Sequence, residues 1–165
     1  MAQMNAAGFE LLKHWEGRIL HAYDDANDQP VNPGDQVHGK LTIGYGHTGN
    51  DVFPGLTWNQ AQADSSLAND IAAVSGQIVP LITANLNDNQ FSAFVCFAFN
   101  IGLGGFAGSS ALHQANAGNL AAIPGCMALW DKTTINGHLV VSPGLKDRRA
   151  AEIALWNTPS AGSDG

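Results

Sequence analysis

The chain is short of positive charge. Its 165 residues hold seven Lys and Arg against fourteen Asp and Glu, a formal net charge of -7. Proteins that grip nucleic acid present a basic face, so DNA and RNA are excluded as partners. Cysteine is nearly missing, with Cys96 and Cys126 the only two. Both stand among apolar residues, which predicts buried free thiols; a disulfide between them stays open at this level. No C-x2-C pair or histidine cluster accompanies them, so no metal site is expected. Walker loops, H-E-x-x-H and cysteine-based triads are absent, and no cofactor is expected.

Long hydrophobic runs are absent too. None reaches the roughly 18 to 20 residues of a membrane span, so membrane insertion is not expected. Met1 to Gly8 has no Lys or Arg and no apolar stretch of signal-peptide length, so the chain is read as lacking its own export signal. Glutamate is scarce as well: Glu10, Glu16 and Glu152 are the only three. Against these absences stands a hydrophobic content of 45%. That suffices for a sizeable core and argues against disorder. The length suits one domain. Residues 1–157 are expected to form it, as a monomer, with 158–165 as a flexible tail.

Apolar spacing predicts a first helix over Asn5 to Trp15, stopped by Gly17. Short strands fit Ile19 to Tyr23 and Leu41 to Tyr45, joined by a polar, proline-containing loop over Ala26 to Lys40. Thr57 and Gln60 form a candidate capping box for a helix running to about Ile78. A helix apolar on nearly all sides starts near Asn87 or Asp88 and ends at the glycines 102, 104 and 105; it should be central. Short helices fit Gly108 to Asn116 and Asn119 to Trp130, the latter broken or kinked by Pro124. Asn136-Gly137 marks a hairpin within Thr133 to Val141. A last helix covers Pro143 to Leu155. The fold class is therefore α+β, mainly α-helical, with a small β lobe at about 17–56 and a larger helical lobe. Ligands commonly bind in the cleft of such two-lobed folds.

Glu16 closes the first helix. A helix C-terminus carries partial negative charge, which disfavours an ionised carboxylate there. A protonated carboxylic acid is what a glycosidase needs to protonate a leaving oxygen. The plainer reading is a solvated glutamate beside a helix-ending glycine. Asp24 and Asp25 follow across the first strand, and two carboxyls flanking a cleft are the minimum for glycoside hydrolysis. The run Asp24-Asp25-Ala26-Asn27-Asp28 also reads as a turn. As a calcium loop it lacks the sixth-position glycine and the closing glutamate.

Then comes Thr42-Ile43-Gly44-Tyr45-Gly46-His47. Glu16, eight intervening residues, Asp25 and this hexapeptide together resemble the catalytic signature of the phage-type lysozymes, glycoside hydrolase family 24. Asn89 to Val95, Phe97 to Gly102, Ser142 to Leu145 and Asp147 to Glu152 resemble that family's central and closing helices. The resemblance spans about residues 8 to 156. It implies a lysozyme-like fold and hydrolysis of bacterial peptidoglycan with inversion at the anomeric carbon. Glu16 then matches the general acid. Asp25 matches the aspartate that holds the attacking water, and Thr42 the threonine that helps position it. Asn100 and Tyr45 match substrate-binding positions, Asn100 toward a sugar acetamido group. His47 is expected to pair with Asp70 on the following helix rather than act as a base. Arg148 or Arg149 is expected near the carboxylates, with a surface pair to Glu152 as the alternative.

One departure stands out. The family's threonine follows the aspartate by six positions, whereas Thr42 follows Asp25 by seventeen. The extra residues fall in Ala26 to Lys40. A hairpin tip can absorb such an insertion without moving its base; a shifted register would displace Thr42. The expected activity is a muramidase, cutting between N-acetylmuramic acid and N-acetylglucosamine in the manner of a phage or prophage endolysin that stays in the host cytoplasm until released to the wall. The alternatives are an antibacterial effector domain, a lytic transglycosylase that needs no water-holding aspartate, and a non-catalytic wall-binding domain.

Overall fold

A computed structural model of the chain describes residues 2–159. The expected tail falls mostly outside them, at 160–165. Among the described residues lie six α-helices and five short strands in the order α1 (Ala6–Glu16), β1 (Ile19–Asp24), β2 (Gln29–Pro30), β3 (Leu41–Gly44), α2 (Gln60–Ile78), α3 (Asp88–Ala107), α4 (Ser110–Asn116), α5 (Ile123–Ala128), β4 (Lys132–Ile135), β5 (His138–Val141) and α6 (Pro143–Asn157). The class is α+β. The chain divides into two compact units. One is Lys13–Ala73; the other joins the residues up to Leu12 with those from Val74 onward.

In the Lys13–Ala73 unit, α1 ends on Glu16 and the chain turns through Gly17 and Arg18 into β1. The sheet is antiparallel in the order β2-β1-β3. Pro30 sits on the edge strand β2, where its missing N–H costs no ladder bond. Tyr23 pairs with Thr42 and Asp24 with Leu41, with an irregularity between Ile19 and Tyr23. Ala22, Ile43 and Val52 form the buried centre, and Leu41, Leu56 and Trp58 pack against it. The inserted segment is therefore not loose. Val31 is buried, and its N–H donates to Ala22 O at 2.9 Å while its carbonyl accepts from Gly55 N at 2.8 Å.

The start of α2 departs from expectation. Asn59 and Gln62 cap it reciprocally, Gln62 N donating to Asn59 Oδ1 at 2.9 Å and Asn59 N to Gln62 Oε1 at 2.8 Å. Thr57, the expected cap, instead bridges to His21 in extended conformation.

In the other unit, α3 is capped by an Asn87–Gln90 box and packs along α6. By length and composition α3 is apolar enough to cross a membrane. It is the core helix of this unit: every residue from Phe91 to Ala98 is buried. Phe94 meets Phe106 and Trp156, and Phe97 meets Phe106 and Trp130. The expected end at Gly102 is an interruption, since that residue is non-helical (φ 80°, ψ 160°) and the helix resumes to Ala107. Pro124 lies in the first turn of α5 and starts that helix rather than breaking it. Asn136 and Gly137 have positive φ and close the β4–β5 hairpin. Ser142 caps α6, which runs to Asn157, two residues past the expected end. Both cysteines are free; Cys96 is buried but Cys126 is only half-buried.

Candidate active site

Glu16, Asp25, Thr42, Tyr45, His47 and Asp70 all belong to the Lys13–Ala73 unit. Helix α1 delivers Glu16 at its last position. Its carboxylate lies over the β3 turn: Oε2 is 3.7 Å from where a Cβ on Gly46 would stand. Gly46 itself has φ 82°, a conformation that costs other residues roughly 1–2 kcal/mol. The Gly-Tyr-Gly of the motif thus lets the backbone turn tightly beneath the acid.

The register decides the insertion question. Directly paired residues on antiparallel strands share a face, and residues two apart on one strand do too. Tyr23 faces Thr42 across the pair, and Asp25, the residue after β1, donates its N–H to Lys40 O at 3.1 Å, beside the residue that leads into β3. The insertion lies wholly outside this pairing and leaves it intact. Asp24 locks the base of the inserted segment. Its buried carboxylate accepts from His38 N at 2.7 Å, Gly39 N at 2.8 Å and Ala26 N at 3.0 Å, and His38 Nδ1 lies 3.5 Å from Oδ2. These bonds, the His38 amide first, hold the Asp24 carboxyl below the usual carboxylate range. Gly39 has to be a glycine, because a Cβ there would collide with the oxygens of Asp24 and Asp25. Asp25 is exposed, and its Oδ1 accepts from Lys40 N at 2.6 Å. The two aspartates are therefore distinct: Asp24 is buried on three backbone donors, whereas Asp25 is exposed and holds one.

Thr42 is buried, and its hydroxyl donates to Lys40 O at 3.1 Å. With its proton so engaged, the hydroxyl has only lone pairs to offer a further partner. Tyr23 is a site residue that sequence reading missed. Burial, then the negative charges of Asp28, Asp25 and Glu16, raise its phenol pKa, so it stays protonated. The i, i+2 alternation of β1 with Asp25 was the signal that could have found it.

Tyr45 is buried, its hydroxyl donating to Asp64 Oδ1 at 3.1 Å and accepting from Gln60 Nε2 at 3.0 Å. Lys13 Nζ reaches the same Asp64 oxygen at 3.1 Å. Tyr45 thereby links the motif to α2. His47 and Asp70 are brought together, Nδ1 to Oδ2 at 2.9 Å, and Nε2 also lies 3.1 Å from Asp51 Oδ2. Burial opposes the charged imidazole, but the Asp70 and Asp51 carboxylates outweigh it and the His47 pKa is raised.

In the other unit, Arg148 and Arg149 flank Glu152. Arg148 Nε donates to Glu152 Oε1 at 3.2 Å, and Arg149 reaches the same oxygen through NH2 at 2.9 Å. All three are buried, which corrects the expectation of a surface pair. Burial pushes the Glu152 carboxyl up to about 7 against the pull of both guanidiniums. Asn100 is exposed and accepts from Arg149 at 2.8 Å through Oδ1. Among the described residues no group of three or more His, Cys, Asp or Glu could hold a metal ion.

Comparison with known proteins agrees with this arrangement. The family model described as phage lysozyme matches residues 13–152. The endolysin of Salmonella phage P22 is 36% identical over 160 residues, covering 94% of this chain and 99% of that protein. The endolysin of Bacillus phage PZA is 37% identical over 156 residues, and the matched part of this chain spans only 55% of its length. Among solved structures, the muramidase domain of SpmX from Asticaccaulis excentricus superposes with a TM-score of 0.84 at 31% identity, covering 96% of this chain and all of that one.

Proposed function

The chain belongs to the phage lysozyme family, and on that premise we propose that it is an N-acetylmuramidase. It hydrolyses the β-1,4 bond between N-acetylmuramic acid and N-acetylglucosamine in bacterial peptidoglycan. The observation that supports the reading is the pairing of Tyr23 with Thr42 across an eleven-residue insertion, with Asp25 N donating to Lys40 O just beyond that pair.

In this reading Glu16 donates its proton to the glycosidic oxygen as the bond from C1 to that oxygen breaks. A water held between Asp25 and Thr42 attacks C1 from the opposite face. The Thr42 hydroxyl accepts one hydrogen of that water, because its own proton is engaged with Lys40 O. Asp25 takes the other as the new C–O bond forms. Glu16 ends ionised and Asp25 protonated, and exchange with solvent restores both. The anomeric centre inverts, which requires roughly 6.5–9.5 Å between the two carboxyls to admit the water. All three groups come from one chain, so the chemistry needs no second copy. Asn100 would contact the glycan; Tyr45, His47 and Asp70 would hold the elements that carry Glu16, Asp25 and Thr42, and Arg148 would brace α6 through Glu152.

The biological role that fits is that of an endolysin, which acts on the wall once released from the host cytoplasm. Mass spectrometry of digested peptidoglycan tests the reaction. Hydrolysis yields reducing N-acetylmuramic acid ends. Anhydro-muramic ends would replace this reading with a lytic transglycosylase, and reducing N-acetylglucosamine ends would move the cut to the other linkage.

A further inference from the structure

Asp64 gathers three donors on a single oxygen. Its Oδ1 accepts from Gln60 Nε2 at 2.7 Å and from the Tyr45 hydroxyl at 3.1 Å, and Lys13 Nζ stands 3.1 Å away. Gln60 lies one turn earlier on the same face of α2. Both ends of its amide are used. The NH2 group donates to Asp64 and to the Tyr45 hydroxyl, and the carbonyl oxygen accepts from Arg18. A guanidinium only donates, so the Gln60 atom facing Arg18 has to be the oxygen. All of these residues belong, with Glu16, to the Lys13–Ala73 unit.

These bonds bracket the proton donor along the chain. Lys13 stands about one helical turn before Glu16, and Arg18 follows it just beyond Gly17. Tyr45 immediately precedes Gly46, the residue over which Glu16 Oε2 lies. The end of α1, the exit from it and the turn beneath it are therefore all tied to two side chains of one helix. The start of that helix is itself fixed by the Asn59–Gln62 cap. Burial opposes the ionised form of Asp64, but the bonds from Lys13, Gln60 and Tyr45 outweigh it and hold its carboxyl below the usual range. The shared acceptor thus stays charged near neutral pH. An acid acts only where its proton meets the leaving oxygen, and a misplacement of about 1 Å can cost on the order of a hundredfold in rate.

We propose that Asp64 is a positioning residue for proton donation: by tying Lys13 and Tyr45 to one oxygen, it sets the height of the Glu16 carboxyl above the Gly46 turn and so its reach to the leaving oxygen. The proposal rests on the muramidase reading above. It predicts a defect of one kind. The bonds of Asp64 go to Lys13, Gln60 and Tyr45, not to Asp25 or Thr42. Loss of Asp64 should impair protonation of the leaving group and spare the attack of water. At 36% exposure its ion pair contributes little stability, so the fold should survive the loss.

Two substrates separate these steps. Purified peptidoglycan has a sugar hydroxyl as its leaving group and needs the acid. An oligomer of the same two sugars, ending in a dinitrophenyl β-glycoside on N-acetylmuramic acid, does not. There the C1–O electron pair leaves on a phenolate of low basicity and no proton is required. Asp64→Ala is expected to lower kcat on peptidoglycan about ten- to a hundredfold with KM held within about threefold, and to leave kcat on the aryl glycoside within about threefold. Asp64→Asn keeps an oxygen for Tyr45 and loses the ion pair, so its loss on peptidoglycan should be smaller. Lys13→Gln should match it, and the two together should cost less than their sum. If Asp64→Ala does not melt cooperatively, Asp64→Asn and Lys13→Gln carry the same comparison. Equal losses on both substrates, or full turnover on both, overturn the proposal. Glu16→Gln is the reference: it should fail on peptidoglycan and keep most of its turnover on the aryl glycoside. If it does so and the Asp64 variants show no such split, this inference alone is wrong. If Glu16→Gln keeps its turnover on peptidoglycan, the muramidase mechanism falls and this inference with it.

Discussion

Replacing His47 by Asn separates a structural tie from a catalytic base. His47 is 17% exposed and contacts two carboxylates, Asp70 at 2.9 Å and Asp51 at 3.1 Å. Asp51 is 67% exposed, so its pair is worth a few tenths of a kcal/mol at most. Asp70 is 33% exposed, and a charge-assisted bond discounted for that exposure is worth about 1 kcal/mol. The whole tie therefore contributes roughly 1–1.5 kcal/mol. For a chain of this size that is a fall in Tm of about 2–6 °C. The sign with pH follows from the raised His47 pKa. The stabilisation is fully present below the unfolded value near 6.5 and is lost as pH rises through the folded value. Thermal melts at pH 5.5 and 8.5 should thus show the larger cost of His47→Asn at pH 5.5. Asp70→Asn should reproduce most of it, and the double variant should cost less than the sum. Turnover should stay within about threefold. An unchanged Tm with a hundredfold loss of turnover would refute the reasoning and make His47 part of the chemistry. A Tm cost that grows toward alkaline pH would refute the charge argument.

Other perturbations read different parts of the account. Stability as a whole should peak near pH 5: the raised pKa values of His47 and Glu152, the latter about 7, favour the fold on the acid side, while the lowered Asp24 value removes stability as pH falls below its unfolded 3.8. A Tm maximum above pH 8 would contradict this. Gly46→Ala forces φ 82° on a residue with a Cβ facing Glu16; it should cost roughly 1–2 kcal/mol in urea unfolding, and a neutral result would mean the turn is free to relax. Asp24→Ala should open the 26–40 segment to protease cleavage, whereas Asp25→Ala should leave it resistant and reduce turnover. With a net charge of -7, clearing of intact anionic walls should be faster at moderate than at very low ionic strength; the reverse order would remove repulsion from the account.

Much of this was legible in the chain itself. Periodicity located the six helices of the described residues, and the Glu16, Asp25 and Thr42 pattern carried the resemblance to the family before any coordinates. What escaped has physical causes. Thr57-x-x-Gln60 and Asn59-x-x-Gln62 satisfy the same capping pattern, and only the bridge of Thr57 to His21 decides between them. Asp24 and Asp25 are equal as turn formers; burial and three backbone donors single out Asp24, and two of those donors arrive only when residues 38 and 39 fold back. The adjacent arginines 148 and 149 are likewise indistinguishable in sequence until α6 docks on α3 and aims Arg149 at Asn100. Gly102 suggested a helix end, but α3 resumes beyond it as far as Ala107 because Phe106 has a buried place against Phe94.

The central claim is that Glu16 supplies the proton. Glu16→Gln keeps the shape of the side chain and removes its acidity. Turnover on purified peptidoglycan, measured beside a circular-dichroism melt, tests it most directly. The account predicts a loss of at least about a thousandfold with a cooperative melt retained. Turnover within tenfold of the unaltered chain would contradict it.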